Sequence, residues 1–84
     1  MTRVRVVVAE GCHLCGPAVE VVRRVCGESF EVLSITGDEV LERRYRERIP
    51  VVEIDGRPAF TYEVDEDDLR AALQRHVGEA DVPA

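Results

Sequence analysis

With 84 residues and a net charge of −6, the chain has room for one domain and lacks the excess of cations that nucleic-acid binding requires. All eleven basic residues are arginine, which excludes Schiff-base and lysine general-base chemistry. No charged-then-apolar leader ends in a small-residue cleavage site, and no apolar run approaches the roughly 18 residues of a membrane span. The cytoplasm is therefore the expected location, and neither a membrane nor a nucleic acid is an expected partner.

Residues 3–9 form a nearly continuous β-branched run, the pattern of a central strand covered on both faces (β1). Cys12-His13-Leu14-Cys15 follows directly. Leu14, Ala18, Val21, Val22 and Val25 then recur at helical spacing (α1), with Arg23 and Arg24 in the last turn and Gly27 as the stop. Residues 30–36 predict a second strand (β2), and Asp38 can cap a short charged helix reaching about Arg46 (α2), with Val40, Leu41 and Tyr45 as its apolar side. Residues 49–54 read as a third strand (β3) that opens on Pro50. Asp55-Gly56 is a two-residue hairpin signal leading into residues 57–61 (β4), where Pro58 points to a sheet edge. Asp65 caps a last helix (α3) that places Leu69, Ala72, Leu73 and His76 on one face. Gly78 is expected to end it, so that residues 1–78 form the domain and residues 79–84 a loose tail. The element order is β-α-β-α-β-β-α, an α/β chain.

The chemistry concentrates at Cys12 and Cys15. A C-x-x-C between a strand and a helix of a βαβ pattern reads as a redox motif. On a helical first turn, positions i and i+3 have Cβ atoms about 5–6 Å apart, and a modest adjustment reaches the roughly 3.8 Å of a disulfide. The pair can thus open and close without refolding. Cys12 is the expected nucleophile and Cys15 the resolving thiol, because the helix entrance favours a thiolate. That dipole contributes about 0.3–1 kcal/mol, less than the 1.36 kcal/mol or so of one pKa unit. His13 either tunes the thiolate or is an exposed turn residue, and Leu14 is a docking or core contact. Pro17 leaves the helix start open. Either Gly16 caps and Pro17 opens the helix, or the helix starts at His13 and Pro17 kinks it.

Other features read as structural. Pro50, taken by itself, is a trans strand-opening proline, since cis X–Pro bonds make up only about 5–6% of cases. Cys26, near the end of α1, reads as a buried inert thiol, and His76 as a cation at a helix C-terminus. The acidic run Glu63, Asp65, Glu66, Asp67 and Asp68 is explained by dipole complementarity at the start of α3. No metal site is expected. A zinc site wants four ligands, usually as two spaced pairs, and there is no second pair.

Together, C-H-L-C after a strand, R-I-P-V-V-E-I-D-G about 35 residues later and an acidic-capped terminal helix resemble the glutaredoxin-like proteins of the thioredoxin superfamily, in particular a small bacterial group that carries C-H-L-C itself. The resemblance spans roughly residues 3–77. It implies a thioredoxin-like fold with a four-stranded mixed sheet of order β2-β1-β3-β4 flanked by helices. It also implies that Pro50 is cis and faces the disulfide, and that the backbone of Ile49 pairs with an extended substrate or with glutathione by strand addition.

The chain departs from the glutathione-binding pattern of that family. Ala9, followed by Glu10, stands where a basic residue usually precedes the first cysteine. No Gly-Gly precedes the last helix, where Val64-Asp65 lies instead. The resulting expectation is a monomeric thiol–disulfide oxidoreductase without bound cofactor, acting on protein or small-molecule disulfides. Glutathione or a thioredoxin-type reductase would supply electrons. The alternatives are a non-catalytic binding or redox-sensing module of the same fold and, further off, a metal-binding C-x-x-C protein.

Overall fold

The valine-rich runs become the two central strands, and their side-chain alternation divides the core. The computed structural model describes residues 3–45 and 47–81, with side chains through Arg75. β1 (Val4–Val8) pairs in parallel with β2 (Glu31–Ser34) and antiparallel with β3 (Val51–Ile54), and β4 (Arg57–Thr61) lies antiparallel on β3. The order β2-β1-β3-β4 is that of the expected thioredoxin-like α/β fold. The helices are α1 (Cys15–Cys26), α2 (Glu39–Tyr45) and α3 (Glu66–Asp81).

Successive strand residues point to opposite faces, so each central strand feeds two cores. Val4 and Val6 of β1 with Val52 and Ile54 of β3 meet Ala18, Val22 and Leu69 from α1 and α3. Val7 and Val51 face the other way, onto Ile35 and Tyr45 beneath α2. Burying a valine or leucine side chain contributes about 1.5–3 kcal/mol, so this two-sided burial drives the fold.

Local signals account for the turns and caps. Asp38 Oδ1 accepts the N–H groups of Val40 (3.0 Å) and Leu41 (3.1 Å), and Asp65 Oδ2 accepts that of Asp68 (3.2 Å). Gly27, at φ +64°, ends α1 and donates its N–H to the Arg23 carbonyl at 2.7 Å. β4 is an edge strand, which suits Pro58. A bulge there puts Val52 opposite Phe60 but Glu53 opposite Pro58, leaving Ala59 as the extra residue.

Three expectations are corrected. α3 does not stop at Gly78 but runs to Asp81, taking in residues assigned to the tail. A glycine costs a helix interior only about 1 kcal/mol relative to alanine, and the following Glu79 and Ala80 are good helix formers. Residues 82–84, like Arg46 and the side chain of His76, lie outside the described residues. Val40 is 72% exposed instead of joining the apolar side of α2. Leu41 and Tyr45 are four apart and share a face, from which Val40 is turned by one residue. Finally, β3 begins at Val51, after Pro50 rather than at Ile49.

Candidate active site

The chain leaves β1 at Val8 and turns through Gly11, whose φ of +77° suits glycine, into Cys12. This loop is pinned to the loop after β2. Ile35 N–H donates to the Val8 carbonyl and Glu10 N–H to Thr36 Oγ1, both at 2.9 Å. Cys15 N–H then reaches back to the Cys12 carbonyl at 3.4 Å, and Ala18 N–H to Leu14 at 3.1 Å. Neither expected helix start holds: α1 opens at Cys15 with Leu14 as its cap, and no side chain caps it. Pro17 is the third helical residue. Its missing N–H falls among those with no intrahelical acceptor, so it neither starts nor kinks the helix.

Cys12 and Cys15 are joined by a disulfide with Cα atoms 5.4 Å apart, inside the usual span for such bridges. Their exposure differs. Cys15 is buried at 6%, whereas Cys12 is half-buried. His13 is exposed. Leu14 is 41% exposed, which makes it a surface contact and not a core one.

The Ile49–Pro50 peptide bond is cis, which corrects the trans reading of Pro50 alone and agrees with the resemblance. Since Val51 lies opposite Val7, Ile49 and Pro50 come out at the end of the sheet from which β1 leads toward Cys12. Pro50 is buried. Among the described residues none hydrogen-bonds to the backbone of Ile49, while the Pro50 carbonyl accepts the N–H of Tyr62 at 2.9 Å. Ala9 packs into the smaller core, so the position where the family pattern places a cation is apolar.

Tyr62 was not evident as a site residue in the sequence. It sits at φ +67° in a tight turn that Glu63 N–H closes on the Thr61 carbonyl at 2.8 Å. A bulky side chain at positive φ costs on the order of 1–3 kcal/mol and is held by its surroundings. Here those are the bond to Pro50 and the donation of its hydroxyl to the Glu47 carbonyl. The only sequence signal was an aromatic directly beyond an edge strand. Tyr62 borders a groove of about 450 Å³ that runs from Leu14 and Pro17 to Phe60, Val64 and Asp65. A separate hollow is lined by Arg43, Arg44, Glu47 and Arg48.

Cys26 is free and half-buried, and burial pushes its thiol up from the ordinary range. Among the described residues no group of three or more His, Cys, Asp or Glu side chains is arranged to hold a metal ion, and no helix is long and apolar enough to cross a membrane.

A family model described as a glutaredoxin-like domain (DUF836) matches residues 3–74. The chain belongs to the glutaredoxin-like family. Uncharacterized proteins of Mycobacterium bovis and Mycobacterium tuberculosis are 32% identical over 81 residues, covering 87% of this chain and 84% of theirs. Among solved structures, a structural-genomics target protein from X. campestris is similar at a TM-score of 0.75 and 32% identity, over 86% of this chain and 96% of that one. A protein from Nitrosomonas europaea follows at 0.63 and 30%, over 84% and 89%. Glutaredoxin-like family and thioredoxin-like fold together support a redox-type role.

Proposed function

We propose that the chain is a thiol–disulfide oxidoreductase acting on protein or small-molecule disulfides, with Cys12 as nucleophile and Cys15 as resolving thiol. One observation carries this reading: the two cysteines are bridged across the turn that enters α1, with the first only half-buried and the second at 6% exposure. In the reducing direction the Cys12 thiol gives its proton to solvent, and its sulfur attacks one sulfur of the substrate bridge. A mixed disulfide forms and the other substrate sulfur leaves as a thiolate, which takes up a proton. Cys15, deprotonated in turn, attacks the Cys12 sulfur, forms the Cys12–Cys15 bridge and releases the second substrate thiol. Two electrons and two protons have then passed to the substrate. Two external thiols, from two glutathione molecules or from the dithiol of a thioredoxin-type reductase, are oxidised to a disulfide as they regenerate the Cys12–Cys15 dithiol, and the cycle needs no bound cofactor.

Two features assist this chemistry. The Ile49 backbone, to which none of the described residues hydrogen-bonds, can receive an extended substrate by strand addition, which supplies affinity with little sequence demand. The start of α1 favours thiolate by about 0.3–1 kcal/mol, less than one pKa unit, so the helix alone does not create a strongly acidic thiol.

The test is disulfide reduction by single variants in a Cys26→Ser background. Cys12→Ser is expected to lose all turnover. Cys15→Ser is expected to stop after the first step and accumulate a mixed disulfide detectable by mass spectrometry. Full activity in Cys12→Ser overturns the mechanism. A bridge that opens and closes without passing electrons to added disulfides identifies a redox-sensing module instead.

A further inference from the structure

The groove beside the Cys12–Cys15 turn has a chemistry of its own. Leu14, the residue next to Cys15, lines one end of it, so an occupant touches the turn that carries the bridge. Pro17, Val21, Phe60 and Val64 supply apolar walls, and its volume of about 450 Å³ is within the usual range of ligand clefts, roughly 300–1,000 Å³. Its polar lining is one-sided. Glu63, Asp65 and Asp68 contribute carboxylates, and none of the described lining residues is cationic. Among the described residues none of these three carboxylates forms an ion pair, whereas Glu66 is paired with both Arg24 (3.8 Å) and Arg70 (3.1 Å). Among the described residues Glu66, beside the groove, is thus neutralised, while the three carboxylates that line it are not. Arg43, Arg44 and Arg48 line a different hollow. At the rim stands Tyr62, 51% exposed, an aromatic face of the kind on which a guanidinium or ammonium stacks.

Resting on the oxidoreductase reading above, we propose that this groove selects protein disulfides whose cysteine is flanked by an apolar residue and an arginine or lysine. The apolar side chain enters between Leu14, Phe60 and Val64. The cation lies among Glu63, Asp65 and Asp68 against Tyr62. An anionic thiol such as glutathione meets uncompensated like charge there and is a poor partner.

The experiment uses the pre-reduced full chain and the second-order rate at which its dithiol is oxidised by four probes. Two are peptide disulfides of one length, with Leu-Arg or Leu-Glu beside the cysteine. The others are glutathione disulfide and the uncharged bis(2-hydroxyethyl) disulfide. The Arg peptide is expected to react at least about tenfold faster than the Glu peptide at low salt, with the ratio shrinking as salt is raised. In Glu63→Gln/Asp68→Asn that ratio is expected to fall severalfold. Equal rates for the two peptides, or glutathione disulfide reacting fastest, overturn the proposal while leaving the oxidoreductase reading in place. A rate ratio that collapses with rising protein concentration overturns it in favour of a second copy of the chain seated in the groove. Failure to react with any of the four probes, the uncharged one included, removes the oxidoreductase reading and this proposal with it.

Discussion

Glu53 is 4% exposed in a strand otherwise made of valine and isoleucine, and burying a carboxylate there is costly unless its oxygens are engaged. Both are. Oε1 accepts Arg5 Nε at 2.8 Å and faces Nη2 at 2.6 Å, and Oε2 accepts the Tyr45 hydroxyl at 2.9 Å. The hydrogen bond to Glu53 pushes Arg5 further up, while burial first and then that carboxylate push Tyr45 up from 10.0. Hydrogen bonds to charged groups contribute about 1.5–3 kcal/mol, so Glu53→Ala is expected to lower Tm by roughly 4–8 °C per kcal/mol lost. Tyr45→Phe tests the pH dependence. A tyrosine raised in the folded state contributes stability that is fully present below about pH 10, its ordinary value, and lost as pH rises through the folded value. The urea midpoint of the native chain is therefore expected to fall more steeply above pH 10 than that of Tyr45→Phe. Parallel alkaline curves would remove Tyr45 as the group responsible.

At the scale of elements, the hairpin between β3 and β4 shows how a local sequence dictates a turn. Asp55 and Gly56 sit at φ +52° and +82°, the doubly left-handed arrangement that matches strand twist in a two-residue loop. Arg3 N–H donates to Asp55 Oδ1 at 2.7 Å, and Asp55 N–H to the Arg3 carbonyl at 2.8 Å, so the turn also fastens the start of β1. A Cβ at Gly56 would meet nothing within 4 Å, so Gly56→Ala tests backbone conformation alone. It is expected to cost about 1–2 kcal/mol, and Gly56→Asn less, because asparagine tolerates that region. Equal losses in denaturant melts would rule out backbone strain as the cause. The hairpin, the Asp38 and Asp65 caps and the Gly27 stop were legible because each signal sits within a few residues of its effect. What was illegible depends on distant surroundings. The helix start carries no side-chain cap to announce it. The isomer of Pro50 followed from family resemblance and not from its own neighbours. The left-handed turn at Tyr62 is held by Pro50 and Glu47. Arg5 and Glu53 stood alone in two apolar strands, and their pairing emerges only when β1 and β3 are set antiparallel in the observed register.

The whole molecule is unequal on the two sides of its sheet, and this asymmetry bears on the site. α1 and α3 share a core with Val4, Val6, Val52 and Ile54, while α2 rests mainly on Tyr45 and Leu41 over Val7 and Val51. A helix of seven residues is far below the roughly 12–15 at which isolated helices become even marginal, so α2 persists only through that contact. Local opening free energies follow such differences in burial. Amides of α2 are therefore expected to exchange with solvent faster than those of α1 and β3. Tyr45→Ala is expected to accelerate α2 selectively, about tenfold for each 1.4 kcal/mol of local stability removed. Uniform acceleration of α1, α2 and β3 would show instead that the sheet and all three helices open as one unit. Selective opening has a direction that matters for chemistry. The segment after α2 leads into Ile49 and Pro50, whereas Cys12 and Cys15 enter α1 on the more deeply packed side. The bridge would then stay fixed while the Ile49-Pro50 backbone, proposed above to receive a substrate, is the part free to adjust.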